Sequence, residues 1–302
     1  MRVGKVAVGD GAVLATERDG LWYRWAPPEA DGASPDGVSA LDALAAGDRS
    51  TSAGSPRGDL LSPGRLLPPI LPPRNVICLG KNYREHAAEI DAYALDTEGL
   101  PEAPIVFTKP AASLCGPRDV ITVDREVTAA LDYEVELGIV IGAGGLHIPA
   151  ADAERHIAGY TIVNDVTARD LQRRHKQWFL GKSLPAATPV GPVIVSPDEL
   201  TGLDGRAIRC WVNGDLRQDA RLGDMIFGIA ETIAEVSRIV PLERGDLIAM
   251  GTPSGVGFSF EPPRFLQDGD RVVCEIEGIG RLDNTVHFVS VPRDLAKESV
   301  HA

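Results

Sequence analysis

Positive charge is in short supply in this 302-residue sequence: 30 Lys and Arg stand against 43 Asp and Glu, a formal net charge of −13. Nucleic acid and anionic membrane surfaces select for the opposite balance, so neither is expected as a partner. Cysteine is scarce too. Cys78, Cys115, Cys210 and Cys274 are far apart and form no CxxC pair, which argues against a zinc cluster or a disulfide framework and leaves them as reduced, packed thiols. No stretch nears the ~18 consecutive apolar residues of a membrane span, and the opening MRVGKVAVGDGAV lacks an unbroken apolar core of signal-peptide type. A cytoplasmic protein is the expectation. Glycine and proline, by contrast, are abundant at 32 and 23 residues, above their usual joint share of ~12%. Many turns and short strands follow, and a helical bundle does not.

Residues 1–26 alternate apolar and polar positions around Asp10-Gly11 and Asp19-Gly20, which predicts a meander of short strands, VGKVAV, AVLATE and LWYRW. Residues 27–64 are rich in Pro, Gly, Ser, Ala and Asp, with room for one short helix at 39–46. Residues 1–64 are therefore expected to form a small amino-terminal β domain and linker, leaving 65–302 as the catalytic domain. After the stiff, proline-rich RLLPPILPPRN at 65–75, strand-like runs come in close succession: NVICLG (75–80), PIVFTK (104–109), DYEVELGIVIG (132–142), GYTIVND (159–165), GPVIVS (191–196), AIRCWVNG (207–214), DLIAMG (246–251) and DRVVCEIEGIG (270–280). Helical spacing shows in NYREHAAEI (82–90), ADAERHIA (151–158) and MIFGIAETIAEVSRIV (225–240). Strands outnumber helices and do not alternate with them one for one, so a parallel βαβ sheet is not expected. The predicted class is α+β, mostly β: a mixed β-sandwich or roll with a few covering helices.

Chemistry concentrates in three stretches. In LDYEVELGIVIG, strand alternation puts Asp132, Glu134 and Glu136 on one face. Buried together, such carboxylates repel and call for a divalent cation; left in water, they are an ordinary edge-strand face. The stretch alone leaves both readings open, although the apolar IVIG that follows favours burial. In GYTIVNDVTARDLQ an apolar strand ends at Asn164-Asp165 and runs into a turn or short helix. Asp165 is either a helix N-cap or a third hard oxygen ligand beside the ExE strand. In GKNYREHAAE, His86 and Glu89 lie three apart, neighbours on one helix face, where the carboxylate can orient the imidazole as a general base or form a plain surface pair. The following AYALDTEGLPEAP reads as a mobile loop or lid.

In order the chain carries GKNYREHAAE, PIVFTKP, LDYEVELGIVIG, GYTIVNDVTARDLQ, a GKS followed by PVGP, MIFGIAETIAEVSRIVPLERGDLIAMGTPSGVG and LQDGDRVVCEIEGIG. Over about residues 65–290 this resembles the fumarylacetoacetate hydrolase family. The W-x-x-GKS and GVGFSFEPPRFL forms look most like its bacterial branch labelled 2,4-diketo-3-deoxy-fuconate hydrolase or ureidoglycolate lyase. The resemblance implies the family's carboxy-terminal β-roll and a homodimer. It also implies a bound Mg²⁺, with Mn²⁺ or Ca²⁺ as alternatives, on Glu134, Glu136 and Asp165. By the same token His86 and Glu89 match a water-activating dyad, Lys182 matches a lysine that stabilises enolate charge, and Lys109, Arg169, Gln172 and Thr252 match substrate-pocket positions.

The activity implied is metal-dependent hydrolysis of a C–C bond in a β-diketo acid, through an enolate held by the metal. Two alternatives use the same site: decarboxylation of an oxaloacetate-like 2-keto acid, or isomerisation of an enol acid. A further one is a catalytically silent keto-acid-binding member. In each case the partner is a small anionic keto acid. One departure stands out: after GKS the chain reads Leu184-Pro185-Ala186-Ala187-Thr188-Pro189, where the family carries Asp, Thr and an aromatic residue. A smaller, less polar pocket wall near Lys182 is expected from it.

Overall fold

The run Val135–Ile141 is buried at all seven positions, so it must be covered on both faces and lie inside a sheet. In the computed structural model, which describes residues 1–9, 11–25, 40–46, 60–61, 64–92 and 99–290, it does. It pairs antiparallel with Ile157–Asn164 on one side and with Leu247–Ala249 on the other. Beyond Leu247–Ala249 come Val76–Gly80, parallel to it, and then Ile105–Lys109 at the edge. Beyond Ile157–Asn164 comes Thr188–Val195, and then the amino-terminal meander Arg2–Val8, Gly11–Arg18 and Leu21–Arg24. That meander joins the large sheet through the pairs Arg2↔Val195 and Val3↔Ile194.

A second, five-stranded sheet is built from Asp215–Arg221, Ala207–Val212, Arg271–Ile276, Gly280–Val289 and Ile121–Asp124. Period-two alternation gives each sheet an inner face. Leu137, Ile139, Ile162 and Val193 of the large sheet share one apolar cluster with Ile208, Cys210, Val272 and Ile276 of the smaller. The intervening residues of the large sheet point the other way: Cys78, Val140, Val163 and Ile194 pack with Leu41 of the short helix Ala40–Ala46. The candidate site lies on this second face, at one end of the central strands. The observed fold is the mostly-β α+β arrangement expected, with mixed parallel and antiparallel pairing.

Several local expectations are corrected. ADAERHIA is split between a 3₁₀ helix, Ala150–His156, and the next strand, which Ile157 and Ala158 open. Asp132 does not share a continuous strand with Glu136: it sits in a separate two-residue ladder, Leu131–Asp132 against Thr167–Ala168. The strands Asp215–Arg221 and Gly280–Val289 were not legible, because DLRQDAR and GRLDNTVHFV carry too little apolar alternation. Part of the expected lid, residues 93–98, and most of the linker lie outside the described residues. Among those described, no helix is long and apolar enough to cross a membrane.

Candidate metal centre and active site

The register of the central strand pair delivers the carboxylates. Val135 lies opposite Asn164, so the residues just outside that pair, Glu134 and Asp165, meet at the same end of the sheet. The Asp165 N–H donates to the Glu134 carbonyl at 2.8 Å, and the Asn164 side-chain oxygen accepts the Glu134 N–H at 3.0 Å. Glu136, two residues further on, falls on the same side. One ligand oxygen from each of Glu134, Glu136 and Asp165 lies within 4.8 Å of the others, and all three residues are buried. The Gly251 N–H donates to Glu136 Oε2 at 2.9 Å. Gly251 has φ +86°, and a Cβ there would stand 2.8 Å from Asn82 Cβ, so this donor position needs glycine.

Cations close around the triad. Lys182 Nζ donates to Glu134 Oε2 at 2.6 Å and to Asp165 Oδ2 at 2.7 Å. Lys109 Nζ lies 2.8 Å from Asp165 Oδ1 and donates to the Val166 carbonyl at 2.9 Å. Arg169 reaches Glu134 Oε1 at 2.6 Å and donates to Asp132 Oδ2 at 2.8 Å. Asp132, further held by the N–H groups of Gly257 and Phe258, is thus an anchor for Arg169 and not a member of the triad.

The electrostatics follow from this packing. Burial works against the Glu134 charge, but Lys182, Arg169 and His86 overcome it and hold its carboxyl down at about 2. Glu136 goes the other way: burial, then the charges of Asp165 and Glu134, push it well above the usual carboxylate range. Burial also opposes the Lys182 ammonium, and Asp165 and Glu134 more than restore it. Four buried carboxylates, Asp132, Glu134, Glu136 and Asp165, therefore share the site with four buried cations, Lys81, Lys109, Arg169 and Lys182, and Glu136 is the carboxylate whose charge burial and its acidic neighbours disfavour. Three converging carboxylate oxygens, hard ligands on buried residues, fit a divalent cation of the Mg²⁺, Mn²⁺ or Ca²⁺ type.

Of the remaining expected residues, His86, Gln172 and Thr252 line one cavity with the triad's glutamates, and Glu89 reaches it through His86. The helix Arg84–Ala92 presents His86, whose Nδ1 pairs with Glu89 Oε2 at 3.0 Å, while Glu89 Oε1 accepts the Gly255 N–H at 2.8 Å. Ile90 of that helix packs on Val256 and Phe258, so apolar contact and a hydrogen bond both dock it on the GTPSGVGF segment. Gln172 Oε1 accepts from Arg169 at 3.1 Å. The Thr252 hydroxyl donates to the Val135 carbonyl at 2.9 Å. The structure thus brings all ten residues together, nine of them buried and Glu89 half-buried.

It also adds residues that the motifs did not single out. Gln218 donates to Thr252 Oγ1 at 2.8 Å and accepts the Val135 N–H at 3.1 Å, fixing the threonine to the strand that bears the triad. Asn82 bonds Phe227 and Met250 from within GKNY. Lys81 and Trp178 line the cavity. The only signal for Gln218 was a neutral residue amid the charges of DLRQDAR. Residues 184–188 do not form the expected wall. Leu184 and Ala187 point into the main apolar cluster, Pro185 is exposed, and none of them lines the cavity.

A two-sheet β fold carrying a buried carboxylate triad, a histidine–glutamate dyad and inward-facing lysines defines an enzyme with a candidate divalent-metal site. Residues 75–287 match the fumarylacetoacetate hydrolase C-terminal family, and the chain belongs to that family. It is 49% identical over 215 residues to oxaloacetate tautomerase YisK of Bacillus subtilis, covering 71% of this chain and 70% of that protein. Among solved structures it is similar to a fumarylacetoacetate hydrolase from Exiguobacterium antarcticum, with TM-score 0.81 and 39% identity over 96% of this chain and 100% of that one. It is also similar to a 5-carboxymethyl-2-hydroxymuconate delta-isomerase from Mycobacterium smegmatis, with TM-score 0.74 and 33% identity over the same shares of the two chains.

Proposed function

We propose that the protein is a divalent-metal-dependent enzyme of keto–enol chemistry, acting on a small keto acid of the oxaloacetate type and moving a proton between carbon and oxygen. The observation that carries this reading is the 49% identity to the oxaloacetate tautomerase. The isomerase among the structural relatives supports it, and so does the tightness of the site.

In this reading Glu134, Glu136 and Asp165 hold the ion, most simply Mg²⁺. When bound, the cation supplies Lewis-acid polarisation of the substrate's oxygen. Glu89 fixes the His86 ring through Nδ1, leaving Nε2 to take a proton from the carbon next to the keto group and deliver it to the enolate oxygen, or to run the same transfer in reverse. Lys182 and Lys109 set positive charge where the enolate oxygen develops, in a site shut off from water. Arg169, positioned by Asp132 and Gln172, and Thr252, positioned by Gln218, bind the carboxylate end. The test is equilibration of enol and keto oxaloacetate, followed by ultraviolet absorbance. Acceleration by the Mg²⁺-loaded protein is expected, with its loss on chelation and in Glu134→Ala; no acceleration overturns the reading.

C–C bond hydrolysis is the second reading, favoured by the hydrolase that overlays 96% of the chain. The same dyad would then take its proton from water, and release of pyruvate from an acylpyruvate would reveal it. The proposal includes a homodimer. The strand Ile105–Lys109 ends the large sheet with Val106 46% exposed, an unprotected apolar edge of the kind a second copy covers. Sedimentation equilibrium at the monomer mass would remove that part.

A further inference from the structure

The short 3₁₀ turn Trp178–Lys182 puts two residues into the cavity, one from each end. Lys182 is accounted for by its charge, but the keto–enol step makes no use of Trp178. The indole is nevertheless tightly seated. A Cβ on Gly80 would fall 2.2 Å from Cζ3 and 2.5 Å from Cη2 of Trp178, so only glycine at the end of the strand Val76–Gly80 lets the ring lie there. The ring also meets Phe107 edge-on, with centroids 5.2 Å apart and planes at 74°. Phe107 faces the Lys182 ammonium in turn, 5.0 Å from the ring centroid. Gly80, Phe107, Trp178 and Lys182 all line one cavity of about 20 Å³, close to the least that admits a water.

A substrate atom beyond the reacting core can enter such a space only where a wall gives way. The charged walls are tied by the ion pairs given above, and Phe107 belongs to a strand paired from Val76↔Lys109 to Gly80↔Ile105. Trp178 is different. It lines the cavity yet is only half-buried, and its neighbours Phe179 and Leu180 are 43% and 49% exposed. We infer that Trp178, seated on Gly80 and propped by Phe107, sets the size limit of the substrate, admitting keto acids of a few carbons and excluding those with an aryl or long alkyl tail. This rests on the keto-acid reading above.

The test uses the Mg²⁺-loaded full chain and calorimetric titration with oxalate, a two-carbon probe, and phenylpyruvate, an aryl-tailed 2-keto acid. Wild type should bind oxalate and discriminate against phenylpyruvate. In Trp178→Ala the ratio of phenylpyruvate to oxalate affinity should rise by at least about tenfold, the scale of one or two methylene-sized contacts. Trp178→Leu, which keeps an apolar filling, should give a smaller rise and serves if the alanine variant melts early. An unchanged ratio in both variants, with oxalate still bound, overturns the size limit and leaves the keto-acid reading standing. Failure of wild type to bind oxalate overturns both.

Discussion

Replacing Lys182 by Met removes one ammonium and keeps most of the stem, so the cavity stays filled while Glu134 Oε2 and Asp165 Oδ2 lose donors at 2.6 and 2.7 Å. Both carboxylates are buried, and breaking a buried ion pair on one side costs about 3–5 kcal/mol. At about 2 °C per kcal/mol for a chain of this size, the metal-free variant should melt some 6–10 °C below wild type. The sign reverses when Mg²⁺ is added. In wild type the ammonium already holds Glu134 Oε2 and Asp165 Oδ2, whereas in Lys182→Met these two oxygens are left to the ion. The variant should therefore gain more melting temperature from Mg²⁺ than wild type does, while its keto–enol turnover falls. Differential scanning fluorimetry over a Mg²⁺ series reads both quantities. A metal-free variant as stable as wild type, or one with no larger response to Mg²⁺, would refute the charge balance drawn here.

Because Glu136 is held well above the usual carboxylate range, the ion must displace its proton. Mg²⁺ affinity should then rise with pH, by at most about tenfold per unit below the Glu136 midpoint, with proton release visible as buffer-dependent heat in calorimetry. His86→Asn should lower kcat by about 10²–10⁴-fold with little change in KM, measured on enol oxaloacetate. A KM effect alone would make His86 a binding residue. Gln218→Leu removes the group that ties Thr252 to Val135 and leaves the Val135 N–H without its partner. It should raise KM more than it lowers kcat and cost about 1–3 kcal/mol of stability in denaturant titration.

Much of the large sheet is legible because its strands are either mostly apolar, like Val135–Ile141 with Glu136 its one charged residue, or bounded by Gly and Pro. DLRQDAR was not, since one face of that strand meets water and its single buried polar anchor, Gln218, carries no periodic signal. Within the site, Glu134, Glu136 and Asp165 could be proposed from alternation and from a strand end. Their meeting depends on the register Val135↔Asn164, which is a tertiary fact. Asp132 shows the limit of the same rule. Alternation placed it with the glutamates, but the chain leaves the strand before Val135 and gives Asp132 to Arg169 instead. The 184–188 segment misled for a related reason: nearness to Lys182 in sequence was taken as nearness to the pocket, whereas the chain turns Leu184 and Ala187 into the core.

The charge arrangement also links the two ligands the site is proposed to bind. Four carboxylates face four cations, so the cluster by itself holds little net charge with which to attract an anionic acid. A divalent cation that takes the place of a proton on Glu136 makes the same cluster more positive by one charge, in a buried volume where screening by salt is weak. Anion affinity should therefore depend on the ion, and by linkage the ion's affinity must rise by the same factor when the anion is present. Oxalate titrated with and without Mg²⁺, and Mg²⁺ titrated with and without oxalate, should return equal factors well above one. Equal factors near one would mean that the acid sits away from the triad, and the keto–enol reading would lose its physical basis.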